Sequence, residues 1–430
     1  MMKTWRSDDE KCERYLTRVE RRMTEVLTPQ VEERARRIVA AVAKRGDKAL
    51  VAYVRRHDLK GMPMEEFRLR GTVESGEEVG EEFVNAVELA LSRLKAFHEL
   101  QVPHGYTLDA EGGDLGVKVR PIESLGVYVP GSSAVYLSSL LMAVVPARLA
   151  GVSRIAVATP PRAFLASAHL RYLLDRLDLH EVYLMGGAHA IAALAHGTDS
   201  VTPVDKIVGP GGRLVASAKR AVFGIVGVDA VTGPSEIVVV ADAHAEPAIV
   251  AADLLAQAEH DPDALAVLVT PSKALAEKVD RRVTARLRSL PRKAAARAAI
   301  RNWGAIVLVP DVETAVEVVN RIAPEHVELL VSDPLRLVDG IERAGAVYLG
   351  AWAASALGDY VAGTNHLLPT SGAARFASPL GVWDFVRRTS VVGVAPHRYP
   401  ALAHAAGVLA LQERLPLHEE ALRAGSRGKV

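Results

Sequence analysis

The chain has 430 residues, enough for more than one domain with a buried core, and its 52 lysines and arginines nearly balance its 51 aspartates and glutamates. A net charge of +1 gives no general affinity for polyanions, and the basic run at residues 281–301 is typical of a solvated helix face, so we predict no nucleic-acid partner. A single cysteine, Cys12, excludes an intrachain disulfide and a thiolate metal cluster. Because the sequence has no signal-peptide core and its most apolar segment is interrupted by Pro146 and Arg148, we expect a cytoplasmic protein without a membrane partner.

Helices are predicted in the first part of the chain. Residues 1–57 are helical in character, with an apolar stripe that includes Val31, Ala35 and Ile38, and a further helix is predicted near residues 81–99. From about residue 117 the pattern changes to short apolar strands, each followed by a glycine- or proline-containing turn and a helix. Such strands are predicted at residues 125–129, 154–159, 181–185 and 206–208. This repeat predicts a parallel, doubly wound sheet.

The same alternation returns in the second part. Further strands are predicted at residues 236–241, 265–270, 305–310, 328–331 and 346–349. After about residue 376 the chain becomes irregular, and it ends in a helix at residues 401–413 and a polar tail. The predicted fold class is therefore α/β, with two Rossmann-like doubly wound domains, a helical N-terminal segment and a C-terminal tail.

Glycine-rich turns follow several of the predicted strands. Such turns place backbone N–H groups and helix N-termini at the carboxyl edge of a sheet, where nucleotides and anions bind. No turn reads G-x-G-x-x-G with an acidic residue at the usual distance. The turns therefore predict a ligand-binding α/β enzyme and leave a dinucleotide as one possibility, beside turns that need glycine for backbone reasons alone.

Gln257 and His260 stand at the end of an apolar helix that Pro262 terminates. A spacing of three places both on one helix face. Histidine is a common metal ligand and glutamine offers a carbonyl oxygen. Two ligands do not close a metal site, so for this pair alone a solvated helix end is the alternative.

Adjacent acid and base residues follow a helix-ending proline. Glu325 can activate water, and His326 can accept a proton from an alcohol near neutral pH. A surface turn is the alternative for the dipeptide alone. The glycine-rich loop beyond it carries Asp359 and His366, and long polar loops are more often functional than structural. Asp359 is a candidate third metal ligand.

These segments together resemble the histidinol dehydrogenase family over almost the whole chain. Glu413 and His418, in the polar tail, belong to the matching residues. The other matching motifs are residues 45–50, 126–130, 186–188, 190–194, 204–211, 233–236, 253–260, 323–326, 357–360, 365–370 and 412–415.

The resemblance implies an NAD-dependent, four-electron oxidation of L-histidinol to L-histidine through L-histidinal, the last step of histidine biosynthesis. It implies that His326 removes the hydroxyl proton and that Glu325 activates water on the aldehyde. It also implies one zinc ion per subunit, although manganese or cobalt suits an N/O site as well. The implied metal ligands are Gln257, His260, Asp359 and His418. The implied substrate contacts are Ser235, Gln257, His260, His326, Asp359, His366, Glu413 and His418.

The resemblance further implies a homodimer in which the C-terminal tail completes the neighbouring subunit's active site. An aldehyde can also be oxidised through a cysteine thiohemiacetal. Because the only thiol, Cys12, lies in a charged N-terminal segment, the route through water is the better interpretation. We divide the chain into an N-terminal helical segment (1–30), a first α/β domain carrying the metal and catalytic residues (31–125 and 236–375), a second α/β domain predicted to bind NAD (126–235), and a C-terminal tail and dimerisation segment (376–430).

Some positions depart from the family pattern. Tyr128 matches a cofactor contact, but His189 stands where the family usually has glutamine, and Gly212 stands where it usually has asparagine. Ser132 replaces a common glycine, and residues 353–355 replace the usual proline and glutamate. We therefore hypothesise reduced or altered NAD binding with intact metal and catalytic chemistry.

Two other functions stay open. One is a family member that oxidises another primary alcohol, such as a sulfonated diol. The second is a zinc-holding protein without catalysis, against which Glu325 and His326 speak. Glu413 favours the amino alcohol, since a carboxylate suits a cationic amine.

Overall fold

The computed structural model describes residues 2–58, 68–70, 79–110, 113–131, 135–231, 233–289 and 293–425. They form two compact units, Met1–Gln101 with Ile122–Phe385 and Val102–Pro121 with Val386–Val430. Ser132, one of the departures from the family pattern, lies outside the described residues.

Strands and helices alternate along much of the chain. The strands are β1 (Lys3–Arg6), β2 (Arg68–Arg70), β3 (Tyr106–Ala110), β4 (Gly113–Pro121), β5 (Ser124–Tyr128), β6 (Arg154–Thr159), β7 (Glu181–Leu184), β8 (Lys206–Val208), β9 (Gly227–Val228), β10 (Glu236–Ala241), β11 (Leu265–Thr270), β12 (Ala305–Leu308), β13 (His326–Leu330), β14 (Ala346–Leu349) and β15 (Val386–Val392). The helices are α1 (Glu10–Glu20), α2 (Arg22–Val26), α3 (Pro29–Arg45), α4 (Asp47–His57), α5 (Glu81–Glu99), α6 (Leu137–Ala150), α7 (Pro161–Ala166), α8 (Ala168–Arg176), α9 (Gly187–His196), α10 (Arg213–Val222), α11 (Pro247–Ala258), α12 (Lys273–Ser289), α13 (Lys293–Asn302), α14 (Val312–Ile322), α15 (Leu335–Val338), α16 (Ser355–Tyr360), α17 (Tyr399–Gln412) and α18 (Pro416–Gly425).

The first sheet of the larger unit is parallel, with the strand order β1-β12-β11-β10-β13-β14. Its central strands are almost continuous runs of valine, isoleucine and leucine, as expected for strands covered on both faces. One face packs on α11, α12 and α13, and the other packs on α1 and α14. β13 begins at His326, which pairs with Ile237 of β10, two residues earlier than the predicted strand.

The second sheet has the order β2-β7-β6-β5-β8-β9. Only its edge strand β2 is antiparallel to its neighbour. Helices α3, α4, α9 and α10 cover one face, and α5 to α8 cover the other. The predicted α/β class, with two doubly wound sheets that carry helices on both faces, is confirmed.

The helices that precede β5 are grouped differently from the sequence-based division. That division places residues 31–125 with the first sheet, but α3 and α4 pack in one core with Ala156 and Tyr183 of the second sheet, and α5 packs on its other face. Residues 1–30 supply β1 and α1 to the first sheet. An apolar stripe shows that a helix face is buried, but it does not show which sheet buries it. The remaining limits of the division stay a prediction.

The smaller unit contains an antiparallel sheet, β15-β4-β3, and helices α17 and α18. The helix predicted at residues 401–413 corresponds to α17. The sequence pattern does not predict the sheet, because β15 is mostly exposed and pairs with residues far away in the chain, such as Val386 with Pro121. No helix in the part of the chain that the structure describes is long and apolar enough to cross a lipid bilayer.

The turn after β8 gives a test of the fold. Gly209 has a φ of 119°, and a Cβ added there would lie 2.1 Å from the carbonyl oxygen of Tyr128. We expect Gly209→Ala to lower the free energy of unfolding by about 1–3 kcal/mol through backbone strain, and by more through the clash, as measured by urea denaturation.

Gly212, three residues later, is the matched control. A Cβ there meets no heavy atom within 4 Å, and the residue has extended backbone at the N-cap of α10. Gly212→Ser should therefore leave stability almost unchanged, because serine is a preferred N-cap residue. Equal losses at both positions would contradict the close approach of Gly209 to Tyr128.

Candidate active site

The candidate acid and base residues lie at the amino edge of the first sheet. Helix α14 ends at Ala323, which has a left-handed backbone with a φ of 50°, and Pro324 prevents the helix from continuing. Glu325 and His326 follow directly and are buried, with 7% and 2% exposed surface. The alternative of a surface turn is therefore wrong.

Both ring nitrogens of His326 have defined surroundings. The Nδ1–H group donates to the carbonyl oxygen of Glu236 at 2.9 Å, which fixes the tautomer. Nε2 is buried without a hydrogen-bond partner and lies 3.6 Å from Oδ1 of Asp359. The amide nitrogen of Gln257 is 3.4 Å from Nδ1, so Gln257 and Asp359 flank the same ring. The unpartnered Nε2 is the ring atom that can accept a proton.

The pKa values of both residues are raised, and only that of Glu325 lies near neutral pH. Burial raises the pKa of Glu325 to about 7, although the neighbouring imidazole of His326 opposes the rise. Burial alone would lower the pKa of His326, but the carboxylates of Glu325 and Asp359 outweigh it and raise that pKa to about 9. A carboxyl group with a pKa near neutral pH is an effective general base.

Asp359 lies near the end of α16 and is tied to His366. Burial opposes ionisation of Asp359, but the close imidazole of His326 outweighs it, so the pKa of Asp359 lies below its ordinary value. His366 donates from Nδ1 to the carbonyl oxygen of Asp359 at 2.8 Å, and its Nε2 accepts the hydroxyl of Ser139 at 2.9 Å. Both ring nitrogens of His366 are thus engaged by the chain itself. Its role as a substrate contact stays a prediction.

Gln257 and His260, the first two predicted metal ligands, are placed differently from each other. Gln257 is buried on the last turn of α11, whereas His260 is exposed just beyond the end of that helix. Among the residues that the structure describes, no three His, Cys, Asp or Glu side chains form a group that could hold a metal ion. Gln257 is outside those residue types.

A cavity of about 380 Å³ lies beside His260. Its walls come from α5, from the start of α6 and from Tyr360 after Asp359. Helix α6 follows the carboxyl edge of the second sheet, so residues from that edge and from the amino edge of the first sheet face one space. Ser235 is half-buried directly before β10, where its carbonyl oxygen accepts the N–H of Leu265 at 2.9 Å.

The candidate cofactor residues share the carboxyl edge of the second sheet. Tyr128 ends β5, and its hydroxyl accepts the N–H of Gly187 at 3.0 Å. His189 is buried on the first turn of α9, with Nε2 2.6 Å from Oδ2 of Asp58. The N–H of Gly186 donates to the same carboxylate oxygen at 3.0 Å. Gly212 caps α10 at the same edge.

Glu413 and His418 belong to the smaller unit. Glu413 follows the last residue of α17 and His418 lies in the first turn of α18. They line one hollow together with Leu409, Leu415 and Leu417.

The sequence motifs assign no role to several buried or half-buried charged residues near the candidate site. Glu236 and Glu328 stand in otherwise apolar strands, and Asp253 stands in the apolar helix α11; a charge inside an apolar run is the signal that could have identified them. Arg22 gives no such signal, because it lies in a segment rich in charges.

Asp253 and Glu328 form a carboxyl pair between α11 and β13. Oδ2 of Asp253 and Oε2 of Glu328 are buried and accept no N–H or O–H donor in the described residues. The other oxygen of Glu328 accepts the N–H of Ser355, at the start of α16, at 2.6 Å. Burial, and then the charge of Glu328, raise the pKa of Asp253 well above the ordinary carboxyl range. We expect the two carboxyl groups to share one proton, which would connect the elements that carry Gln257, His326 and Asp359.

Comparison with known proteins identifies the family. The histidinol dehydrogenase family model matches residues 20–425. The chain belongs to the histidinol dehydrogenase family. It is 46% identical over 397 residues to the histidinol dehydrogenase of Thermus thermophilus, covering 92% of this chain and 94% of that protein. It is 43% identical over 398 residues to that of Listeria monocytogenes, covering 92% of each.

A solved structure agrees with this membership. The crystal structure of histidinol dehydrogenase from Elizabethkingia anophelis matches with a TM-score of 0.88 at 30% identity, covering 98% of this chain and 97% of that chain. Histidinol dehydrogenases are oxidoreductases, so the chain is a member of an enzyme family. The comparisons give no support to the alternative of a family member that oxidises a sulfonated diol.

The Asp253–Glu328 pair has a consequence for stability. The pKa of Asp253 is raised on folding, so the folded protein keeps a proton that the unfolded chain releases. The contribution is favourable at low pH and is lost as pH rises from the unfolded carboxyl pKa toward the folded one. The Asp253→Asn variant has no such proton, so we expect the Tm advantage of the unmodified chain over this variant to shrink between pH 5.5 and 8.5.

Scanning calorimetry across that range measures the effect. Asp339→Asn is the matched control, because Asp339 is an exposed carboxyl group between β13 and β14 of the same sheet. The Tm difference between this variant and the unmodified chain should not change with pH. A difference for Asp253→Asn that stays constant or grows with pH would show that the two carboxyl groups do not share a proton.

Proposed function

We propose that the chain catalyses the NAD-dependent, four-electron oxidation of L-histidinol to L-histidine through L-histidinal. The observation that carries this proposal is the buried Glu325–His326 pair, with Gln257 and Asp359 against the same imidazole ring. This arrangement provides one base for an alcohol and one for water, as two successive oxidations require.

The residues present fit a zinc ion. Asp359 is an ionised carboxylate beside the unpartnered Nε2 of His326, and two imidazoles with oxygen donors are ligands that zinc accepts. The ligands would be Gln257, His260, Asp359 and His418. Zinc bound there would act as a Lewis acid on the substrate oxygen and orient the substrate. A carboxylate that already binds a cation raises the pKa of a neighbouring imidazole less, which makes His326 a better base.

In this proposal the metal ligand His418 comes from the C-terminal tail of a second subunit. His418 and Glu413 would reach the site of a neighbouring copy, where Glu413 suits the cationic amine of histidinol. Exposed apolar side chains on the tail helix support a homodimer, because such a surface is normally covered. They are Leu402, Val408, Leu409 and Leu411.

The first oxidation uses His326. Its Nδ1–H is committed to Glu236, so Nε2 accepts the hydroxyl proton while the carbinol carbon transfers hydride to NAD⁺. The products are L-histidinal, NADH and one proton. In this step the chain supplies the base and the orientation of the substrate.

The second oxidation uses Glu325. A carboxylate with a pKa of about 7 can remove a proton from water, which adds to the aldehyde carbon and gives the hydrate. Hydride transfer from the hydrate to a second NAD⁺ gives L-histidine, NADH and a proton. Cys12 is fully buried in the core, and burial raises its thiol pKa to about 11, which supports the route through water.

Stoichiometry and base variants test the proposed reaction. We expect two NADH per L-histidinol with zinc-loaded protein. Glu325→Gln should lower the rate of L-histidinal oxidation by about 10²–10⁴-fold, because the water loses its base, and should affect alcohol oxidation less. His326→Gln should slow alcohol oxidation.

The control and the contrary outcomes are defined in the same assay. Glu342→Gln, at an exposed glutamate, should keep full activity. Turnover of a sulfonated diol without turnover of histidinol would indicate another substrate. Turnover of neither would indicate a zinc-holding protein without catalysis.

The departures at the cofactor edge predict weaker NAD binding. Gly212 offers no side-chain hydrogen bond, and the His189 ring is paired with Asp58. Each lost bond costs about 0.5–1.5 kcal/mol, so His189→Gln with Gly212→Asn should tighten NAD binding by about 2- to 12-fold per restored contact. Calorimetric titration of NAD into zinc-loaded protein measures this.

A second histidine provides the control. His180 forms an exposed pair with Asp178, also at 2.6 Å, so His180→Gln removes a histidine–aspartate pair away from this edge. It should leave NAD affinity unchanged. Ordinary NAD affinity in the unmodified chain, with no gain in the double variant, would rule out the hypothesis.

A further inference from the structure

Arg22 is completely buried although it belongs to the short N-terminal helix α2. Its guanidinium group forms an ion pair with the carboxylate of Glu236, which is 1% exposed. It also donates to the carbonyl oxygen of Asp263 and, at 3.5 Å, to that of Pro234. The ring of Trp303 lies 5.2 Å from the guanidinium carbon. The guanidinium group of Arg22 thus contacts both the side chain of Glu236 and the backbone just before it, at Pro234.

Glu236 contacts both candidate catalytic residues. Its N–H donates to Oε2 of Glu325 at 2.9 Å, and its carbonyl oxygen accepts Nδ1–H of His326 at 2.9 Å. Its side-chain Oε2 accepts the N–H groups of Ser371 at 2.9 Å and Glu325 at 3.3 Å. A single residue at the start of β10 therefore orients the Glu325 carboxylate and fixes the His326 tautomer.

The position of Glu236 depends on Arg22 for a physical reason. A buried carboxylate without a cation is strongly disfavoured and must take up a proton or move toward water. Either change alters the backbone or the acceptors at the start of β10. Glu325 and His326 would then lose their positions, although neither touches Arg22.

We propose that Arg22 and Glu236 are positioning residues for the reaction: from behind the site, their ion pair holds the Glu325 carboxylate and the Nδ1-protonated form of His326. The inference rests on the proposed function, since it assigns those two groups as the bases. It places the N-terminal helix in the catalytic apparatus. The alternative is that the ion pair serves stability alone.

Kinetic variants at position 22 separate these two roles. Arg22→Met keeps an unbranched side chain that reaches about as far as Nε and removes the charged guanidinium group. Arg22→Lys keeps the charge and removes the planar guanidinium group. Because a misplacement of about 1 Å can cost about 10²-fold in rate, we expect Arg22→Met to lower kcat 10- to 100-fold for both L-histidinol and L-histidinal, with KM changed less than threefold. The kcat of Arg22→Lys should lie between that of the unmodified chain and that of Arg22→Met. The zinc content of both variants should equal that of the unmodified chain.

Arg18 provides the matched control. It lies 3.9 Å over the same Trp303 ring, pairs with Glu25 and donates to the carbonyl oxygen of Asn302, but it does not reach Glu236. Arg18→Met should leave kcat unchanged. Added guanidinium ion should raise the kcat of Arg22→Ala at least fivefold. It should not change the kcat of Arg18→Ala.

A spectroscopic measurement does not depend on turnover. In protein labelled with ¹⁵N-histidine, the His326 signals, assigned by their absence in His326→Gln, should show a protonated Nδ1 in the unmodified chain. In Arg22→Met this Nδ1–H signal should shift or broaden, and in Arg18→Met it should not.

The outcomes distinguish the inference from the proposed function. An unmodified chain without histidinol turnover contradicts the proposed function, whereas the His326 signal still reports on the positioning. An active chain whose Arg22→Met variant has a lower Tm but normal kcat and an unchanged His326 signal overturns the inference. If Arg22→Met does not fold, Arg22→Lys decides: we expect at least fivefold lower kcat at unchanged KM, and normal kcat overturns the inference.

Discussion

The carboxylate of Glu236 has to be neutralised and fully hydrogen-bonded, because it is buried at the amino end of a parallel strand. Arg22 supplies the charge and the N–H groups of Glu325 and Ser371 supply the hydrogen bonds. The same requirement brings the N-terminal helix, the strand that begins at His326 and the loop at Ser371 to one point. The contacts that stabilise the buried Glu236 carboxylate thus also hold Glu325 and His326 in place. Their positions are well defined because a buried carboxylate without these partners would be strongly destabilising.

The candidate site residues lie at opposite edges of the two sheets, at the carboxyl edge of the second sheet and at the amino edge of the first. Ligands in parallel α/β sheets normally bind outside the carboxyl ends of the strands, and the second sheet carries the candidate cofactor residues Tyr128 and His189 at that edge. The first sheet does not, because Glu325 and His326 precede β13 rather than follow it. Helix α11 runs back from the far edge and so ends with Gln257 beside them. The candidate cofactor residues and the candidate acid and base residues thus lie at edges of opposite polarity in their two sheets.

Much of the fold could be predicted from the sequence, because strands buried on both faces are nearly uninterrupted apolar runs; β6, β10 and β11 have the predicted limits. The local motifs also identified Glu325 and His326 as a pair. The sequence could not show which sheet buries an apolar helix, nor that distant residues such as Arg22 and Glu236, 214 positions apart, form an ion pair. Non-local pairing leaves no periodic signal, and the strands of the smaller unit escape prediction because they lack a buried apolar pattern.

The cofactor edge and the catalytic edge differ in how far the chain already satisfies its own polar groups. At the cofactor edge the N–H of Gly186 is bound to Asp58 and the N–H of Gly187 to Tyr128, so the donors at the start of α9 are occupied by the chain. At the catalytic edge Nε2 of His326 is buried and has no partner among the described residues. Leaving a buried nitrogen unpaired costs about 1–3 kcal/mol, a cost that a ligand placed there would recover on binding. A ligand placed at Nε2 of His326 would therefore gain a bond that the chain leaves unmade, whereas the N–H groups of Gly186 and Gly187 offer a ligand nothing that the chain does not already bind.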